Sequence, residues 1–274
     1  MASKRKIDVV PASGSSSATD LIGKRCLVTG GGSGIGAGIA TVLARAGAAV
    51  VVLGRSERPL QALAARLRAQ GALAEAVVGD VRDRRGIGKA VDRAARALGG
   101  LDVLVNNAGI GGPNGCAMPG PERWDEIVRT NLDGVYFTTR AALAHIQVGG
   151  SVVNISSVLG RFGVPGYTAY CASKHGVIGF AKALALELAP RRITVNTICP
   201  GWTDTTMAKA GMQAMAKALR IPFAQAKAQA LGAVPLGRMM APEEIGELAA
   251  WLCSSAARGM TGQAISHCGG QVMW

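Results

Sequence analysis

The sequence is poor in aromatic and charged side chains, and it holds no long apolar run. Aromatic residues make up 4% of the chain and charged residues 17%. No apolar run reaches the roughly 18–20 residues that a helix needs to span a bilayer, so we expect no membrane association. The basic residues are scattered without interleaved aromatic residues, which argues against a nucleic-acid partner. The net charge of +13 suits a basic surface that attracts anionic ligands such as phosphates.

A metal-binding pattern is also missing. The six cysteines include no CxxC pair, and His145 and His175 stand alone. His267 and Cys268 are adjacent, which is a poor start for a zinc site. Cysteines without a disulfide pattern are typical of a reducing compartment, so we expect a cytoplasmic protein that holds no metal.

Glycine and alanine are abundant, and short apolar segments alternate with longer helical patterns. Near-continuous apolar segments are typical of strands that are buried on both faces. The alternation predicts a doubly wound parallel sheet with helices on both faces, joined by right-handed crossovers. The candidate strands are 25–29, 49–53, 74–79, 101–106, 151–156, 193–199 and 264–267, and the candidate helices lie near 35–47, 57–70, 84–98, 122–146, 166–188 and 242–253.

One domain accounts for the sequence from residue 21 onward, because no linker or internal repeat interrupts it. Residues 1–20 are basic and then Ser/Gly-rich, without a hydrophobic stretch of the signal-peptide type, and we predict a disordered tail there. Residues 202–231 interrupt the strand–helix alternation and are rich in Ala, Met and Lys. We expect a helical, partly mobile lid, since such insertions commonly close over active sites.

A glycine-rich turn follows the first strand, with the sequence TGGGSGIG from Thr29 to Gly36. Glycines let the backbone approach a pyrophosphate, which then lies at the positive N-terminus of the next helix. A flexible loop would have a similar composition, but the position between a strand and a helix favours a nucleotide site. The predicted contacts are Gly30, Ser33, Gly34, Ile35 and Gly36.

The end of the second strand indicates which nucleotide is bound. NAD-specific sites place an acidic residue here to hold the ribose 2′-hydroxyl. Gly54 occupies that place, and Arg55 and Ser56 follow with groups suited to a 2′-phosphate. Glu57 lies close by and keeps NAD(H) open as the alternative. We expect NADP(H).

Polar residues also end the third and fourth strands. Asp80, followed by Val81, is placed to accept a hydrogen bond from an adenine amino group. Asn107, Ala108 and Gly109 follow the fourth strand, at the edge of the sheet where ligands of α/β proteins bind. Ordinary turn chemistry is the alternative for all five residues, since Asn, Asp and Gly dominate turns.

Tyr170 and Lys174 carry the candidate chemistry, with Ser157 upstream of them. A tyrosine titrates near pH ~10 by default and is a poor acid–base group. A lysine four residues later on a helix lies on the same face, where its charge favours the phenolate. Ser157 could bind the same oxygen that Tyr170 protonates. The Tyr-x-x-x-Lys spacing is weak by itself, and its weight depends on the motifs around it.

In this order the motifs resemble those of the short-chain dehydrogenase/reductase family, and the match covers nearly the whole chain after residue 20. TGGGSGIG is similar to the family's cofactor turn, and NNAG, at 106–109, to its sheet-stabilising motif. The resemblance implies a single-domain Rossmann fold of about seven parallel strands. The matching catalytic residues are Asn131, Ser157, Tyr170 and Lys174, and the implied cofactor contacts after the sixth strand are Pro200, Gly201, Thr203 and Thr205.

The resemblance also implies the chemistry, which is hydride transfer between nicotinamide C4 and a carbonyl carbon. Tyr170 would be the general acid in reduction and the base in oxidation. Lys174 would lower the pKa of Tyr170 and bind the nicotinamide ribose, and Ser157 would orient the carbonyl oxygen. Asn131 would hold a water that links Lys174 to solvent. Cys171 and Cys199 are expected to be packing residues.

The substrate is less well defined. Cys268-Gly269-Gly270 stands where the family often has Asp-Gly-Gly, and several aromatic polyketide ketoreductases of the family end similarly. The lid suits a hydrophobic ketone, free or carried on coenzyme A or an acyl carrier protein; the alternative is an amphipathic helix with a solvated basic face. Its apolar residues are Met207, Met212, Met215, Ile221 and Phe223, and its basic residues are Lys209, Lys217, Arg220 and Lys227.

Two further functions stay open at this point. One is an NAD-dependent secondary-alcohol dehydrogenase that works in the oxidative direction. The other is a non-catalytic binding relative, although such proteins usually lose a catalytic residue and all four are present here. The long helices near 122–146 and 166–188 pair across subunits in relatives of this size, so the resemblance implies a homo-oligomer, a tetramer or a dimer.

Overall fold

The computed structural model describes residues 20–274, and these residues form seven strands and nine α-helices. The predicted tail lies outside the described residues, except for Asp20. The strands are β1 (Arg25–Thr29), β2 (Ala49–Gly54), β3 (Ala74–Val78), β4 (Leu101–Asn106), β5 (Ile146–Ile155), β6 (Thr194–Pro200) and β7 (Ala264–His267). The helices are α1 (Gly34–Arg45), α2 (Glu57–Ala69), α3 (Arg84–Leu98), α4 (Trp124–Val128), α5 (Gly134–Ala142), α6 (Thr168–Leu188), α7 (Thr206–Leu219), α8 (Phe223–Gly232) and α9 (Pro242–Cys253).

The strands form one parallel sheet in the order β3-β2-β1-β4-β5-β6-β7. Successive side chains on a strand point to opposite faces, so both faces need a cover. Val28 of β1 belongs to one apolar core with Ile39 of α1 and Ile245 of α9. Its neighbour Leu27 belongs to a second core with Ile87 of α3 and Leu184 of α6. The predicted doubly wound Rossmann fold is confirmed.

Helices α1 and α9 approach closely because glycines lie at their contact. A Cβ on Gly38 would lie 2.6 Å from the carbonyl carbon of Pro242, and one on Gly246 would lie 2.8 Å from Cγ2 of Val42. Real Cβ atoms do not tolerate either distance. This contact holds the first helix against the sheet, and the start of that helix borders the glycine-rich turn.

The predicted helix near 122–146 differs most from the structure. It is divided into α4, a π-helical turn (Arg129–Asp133) and α5, and the chain then enters β5 at Ile146. Ile146 pairs with Leu101 at the start of β4, and a register shift follows before the main pairing. The helical pattern gave no indication that β5 begins at Ile146, because the strand with which it pairs is distant in sequence. The other element ends agree to within about two residues.

The segment that we expected to form a lid is helical and contains α7 and α8. A short bridge between Thr203 and Met240 fixes its base: Met240 N donates to Trp202 O and Asp204 N donates to Met240 O, each at 2.9 Å. Between Asp20 and Trp274, no helix is both long and apolar enough to cross a membrane.

Candidate active site

Most of the predicted cofactor residues line one cleft at the carboxyl ends of the strands. Ligands of doubly wound sheets bind at this edge, where the strand order reverses between β1 and β4. The predicted residues in the lining are Gly30, Ser33, Gly34, Ile35, Arg55, Ser56, Asp80, Val81, Asn107, Ala108, Gly109, Tyr170, Lys174 and Thr205. Met207, one of the apolar lid residues named from the sequence, also lines the cleft. Lining residues that were not among the predicted contacts include Gly32, Pro59, Leu60, Ile110, Thr130, Ile155, Ser156 and Thr206.

The glycine-rich turn is held close to the loop after β4. Gly30 has φ +64°, and a Cβ there would lie 2.8 Å from Nδ2 of Asn107. Gly36 does not line the cleft, and a Cβ on it would collide with the carbonyl oxygen of Gly30. The absence of these two side chains therefore lets the turn fold tightly under the start of α1, as a pyrophosphate site requires.

Asn107 joins the ends of β1 and β4. Its Nδ2 donates to the carbonyl oxygens of Thr29 at 2.9 Å and Gly30 at 3.2 Å. In return, the hydroxyl of Thr29 accepts from the backbone N–H groups of Asn107 and Ala108, each at 3.0 Å. These four hydrogen bonds hold the glycine-rich turn and the NNAG segment in fixed positions relative to each other.

The rim near β2 has a free positive charge. Arg55 is exposed and lines the cleft, and among residues 20–274 it has no carboxylate within ion-pair distance. Asp80 is different, because the side chain of Arg82 binds its two carboxylate oxygens at 2.7–3.1 Å. The hydrogen bonds from Arg82 lower the pKa of the Asp80 carboxyl. Arg55 is thus available to a phosphate. Asp80 remains an anion whose oxygens can accept further hydrogen bonds.

Tyr170 and Lys174 lie at the other end of the cleft, on α6. Lys174 is 5% exposed, its Nζ donates to the carbonyl oxygen of Ile155 at 2.9 Å, and it lies 5.7 Å from the centre of the Tyr170 ring. Tyr170 interacts with the side chain of Ser157, whose Oγ accepts from Leu159 N at 3.1 Å. Tyr170, Lys174 and Ser157 are therefore brought together, as the motifs predict.

The pKa values of this pair differ from our expectation. Burial raises the pKa of Tyr170 to about 12, and the hydrogen bond with Ser157 only partly offsets it. Burial lowers the pKa of Lys174 to about 8. The net pKa of Tyr170 is raised because desolvation of the phenol is the largest cause of its shift, and the lowering effect of Lys174 stays a prediction.

Asn131 lies beneath the cleft and is fully buried in the π-helical turn. Its Oδ1 accepts from Ile110 N at 2.8 Å, and its Nδ2 donates to Ile110 O at 2.9 Å and to Ser173 Oγ at 3.2 Å. Both amide hydrogens are therefore used within the protein. The predicted role of Asn131 in holding a water rests on the remaining lone pair of Oδ1, which faces Gly109 beside Lys174 Nζ.

Three of the predicted residues at the end of β6 and just after it do not line the cleft. Pro200 is buried, Gly201 packs against Cys268, and the hydroxyl of Thr203 donates to Gly201 O at 3.2 Å. Thr205 lines the cleft and caps α7, accepting from Ala208 N at 3.1 Å. A Cβ on Gly34 would lie 3.2 Å from Cγ2 of Thr205, so α7 begins directly against the glycine-rich turn.

Cys268 has a structural setting. Its Sγ accepts from Val272 N at 3.3 Å and interacts with Val272 O at 3.4 Å, and the side chain packs against Val158. Gly269 and Gly270 follow with φ values of +63° and +90°. The Cys-Gly-Gly segment thus forms a tight turn beside Ser157. In the part of the chain described by the structure, no three His, Cys, Asp or Glu side chains gather as metal ligands do.

Known proteins are similar to this chain in sequence over most of its length. Residues 30–271 match a family model described as enoyl-(acyl carrier protein) reductase. A Streptomyces virginiae protein, provisionally named the ketoacyl reductase of the monensin polyketide synthase, is 41% identical over 89% of this chain and 95% of its own length. The 3-oxoacyl-acyl-carrier-protein reductase FabG of Thermotoga maritima is 38% identical over 92% of this chain and 99% of its own length.

Solved structures agree in fold and in cofactor. A variant of the actinorhodin polyketide ketoreductase with NADPH is 39% identical, with a TM-score of 0.86 over 92% of this chain and 98% of its own. A short-chain dehydrogenase from Burkholderia cenocepacia in complex with NADP is 35% identical, with a TM-score of 0.82 over 92% of this chain and 99% of its own. The chain belongs to the short-chain dehydrogenase/reductase family and is an NADP(H)-dependent oxidoreductase.

Proposed function

We propose that this protein reduces a ketone group to a secondary alcohol, and that the ketone is part of a hydrophobic or carrier-linked 3-oxoacyl or polyketide-like molecule. The observation that carries the proposal is that Tyr170 and Lys174 line one end of the cleft, with Lys174 Nζ 5.7 Å from the centre of the Tyr170 ring and the side chain of Ser157 interacting with Tyr170. Two hydroxyl donors that converge at one point suit a carbonyl oxygen, which gains negative charge as it is reduced. The relatives named for ketoacyl reduction support the same reaction.

Each catalytic residue has one task in this proposal. Ser157 donates to the carbonyl oxygen and orients it. Tyr170 gives its phenolic proton to that oxygen, and the phenolate that forms is stabilised by the nearby Lys174 ammonium. Asn131 keeps the loop after β4 in place through Ile110 and offers its free lone pair to a water beside Lys174.

The cleft fits a dinucleotide along its length. NADPH supplies the hydride when it is bound. The tight Gly30–Asn107 approach and the start of α1 suit its pyrophosphate, Arg55 and Ser56 suit its 2′-phosphate, and Lys174 suits the nicotinamide ribose. Asp80 and Val81 line the cleft and suit the adenine, and Thr205 lines it beside Gly34 and suits the nicotinamide.

The lid segment supports an apolar substrate only in part. Met207 is 48% exposed and lines the cleft, whereas Met212 is fully buried between the lid helices and the rest of the protein. Lys209 forms an ion pair with Asp204 at 2.9 Å, and Lys217, Arg220 and Lys227 are exposed. An apolar side chain at the cleft with cations around it suits a ketone on an anionic carrier. We retain the role of residues 202–231 as a lid in this proposal.

Replacement of Tyr170 tests the chemistry. Tyr170→Phe removes the proton donor alone, so we expect turnover, measured as loss of NADPH absorbance at 340 nm, to fall by about 10²-fold or more. Tyr136→Phe is the matched control, because it removes a phenol hydroxyl that is exposed on α5 and bonds only Arg140. Near-normal turnover of Tyr170→Phe would contradict the proposed role.

Replacement of Arg55 tests the choice of nucleotide. Arg55→Asp removes the cation and adds an anion, so the ratio of kcat/KM with NADPH to that with NADH should fall by about 10²-fold. Arg58→Asp makes the same charge change in the first turn of α2, outside the cleft lining, and should leave the ratio within a few-fold of the parent.

The parent protein also tests the alternative of an NAD-dependent alcohol dehydrogenase. If the unmodified chain already prefers NADH to NADPH, our assignment of Arg55 is wrong. Faster turnover of secondary alcohols with NAD than of ketones with NADPH, each measured at the same pH, would then favour that alternative.

A substrate panel tests the carrier. We expect kcat/KM for 3-oxoacyl groups on coenzyme A or an acyl carrier protein to exceed that for the same acyl group as a free ester by about tenfold or more, because the exposed cations attract the anionic carrier. The free ester is the matched control, and the difference should shrink as salt rises. Equal kcat/KM values for the two forms would rule out the carrier.

We further propose a homo-oligomer, a dimer or tetramer, assembled through α5 and α6. Leu186 on α6 is 78% exposed and would be covered in such an assembly. Light scattering at micromolar concentration should give a mass of at least two chains, and Leu186→Glu should lower it. Leu73→Glu alters an equally exposed leucine before β3 and should not. A monomeric parent would contradict the assembly.

The cellular location and the extent of the domain are proposals of the same kind. All six cysteines lie among the described residues and are free thiols, which supports the reducing cytoplasm. The continuous sheet and its two apolar cores support one domain for residues 21–274.

A further inference from the structure

We propose that Ser173 is a positioning residue of this site, which holds Asn131 and its π-helical turn against the catalytic helix α6. The inference rests on the proposed ketone reduction and adds to it a residue that lies between Tyr170 and Lys174 in the sequence. Ser173 does not line the cleft and is fully buried. It acts through Asn131 and not on the substrate.

The first argument is the complete pairing of two buried side chains. Ser173 Oγ accepts from Asn131 Nδ2 at 3.2 Å and donates to the carbonyl oxygen of Tyr170 at 2.8 Å. Asn131 uses its other amide hydrogen on Ile110 O and accepts from Ile110 N. The hydroxyl thus connects the backbone of α6 at Tyr170 to the loop that follows β4, with Asn131 as the link between them.

The second argument is the fit between the π-helical turn and α6. A Cβ on Gly176, three residues after Ser173, would lie 2.9 Å from Cδ2 of Leu132, so this helix face touches the turn directly. A π-helical turn is less stable than a continuous α-helix and occurs mostly at functional sites. The Asn131–Ser173 hydrogen bond therefore selects one position for a turn that its own backbone does not strongly prefer.

The consequence for catalysis follows from what Asn131 faces. Asn131 Oδ1 and Lys174 Nζ both lie close to Gly109. A Cβ on this glycine would be 3.2 Å from Asn131 Oδ1 and 3.5 Å from Lys174 Nζ. If the hydroxyl of Ser173 is removed, one buried N–H of Asn131 loses its partner, and the side chain is free to turn away from Ile110 and Gly109. Proton delivery at Lys174 and Tyr170 would slow, while the nucleotide contacts of the cleft would remain.

The test is a double-mutant cycle. Ser173→Ala should lower kcat for a free ketone with NADPH about tenfold and leave the KM for NADPH within about twofold, since one buried hydrogen bond is lost away from the cofactor. In an Asn131→Ala background, the same change should alter kcat by less than about twofold, because Ser173 acts through Asn131. Ser151→Ala is the matched control and should leave kcat unchanged. It removes a buried hydroxyl in the middle of β5, outside the cleft lining, whose side-chain hydrogen bond within residues 20–274 is with Thr194 of β6.

Amide hydrogen exchange gives a readout that does not depend on turnover. Peptides that cover 129–133 should exchange faster in Ser173→Ala than in the parent or in Ser151→Ala. The proposal is overturned if exchange there is unchanged, if kcat stays within twofold of the parent, or if the loss of kcat is the same with and without Asn131. A parent that reduces no ketone would overturn the proposed function instead, and the exchange experiment would still decide the role of Ser173.

Discussion

The hydrogen bonds between Thr29 and Asn107 are the contact on which the rest of the site depends. They join the ends of β1 and β4, the two strands between which the order of the sheet reverses. The two chain segments diverge to opposite faces from this point and leave a crevice between them. Asn107 also fixes the carbonyl of Gly30, so the same amide shapes the glycine-rich turn and opens the cleft beside it.

Burial of charge is the second constraint. Lys174 is almost completely enclosed, and the hydrogen bond that it donates within the described residues is to the carbonyl oxygen of Ile155. Burial lowers the pKa of this ammonium and raises that of the Tyr170 phenol, so each group is displaced toward its neutral form. Groups whose pKa values are shifted in this way are typical of sites that transfer protons.

Prediction from the sequence succeeded for residues whose role can be inferred from the residues next to them in the sequence. The glycine turn, the residues at strand ends and the Tyr–Lys spacing are local patterns, and most of the cofactor residues inferred from them do line the cleft. Ser173 and Ile110 were not found, since each contacts Asn131, which is distant from it in sequence. The π-helical turn was missed for a related reason, because apolar periodicity alone does not distinguish it from an α-helix.

The sequence by itself determined the order and type of the elements, since strand and helix periodicities and glycine positions are properties of short segments. It also carries the motifs from which Asn131, Ser157, Tyr170 and Lys174 are predicted to be catalytic. Tertiary structure alone decided how these residues interact. Desolvation depends on everything packed around a group, so it was the folded chain that raised the pKa of Tyr170, lowered that of Lys174 and engaged both amide hydrogens of Asn131.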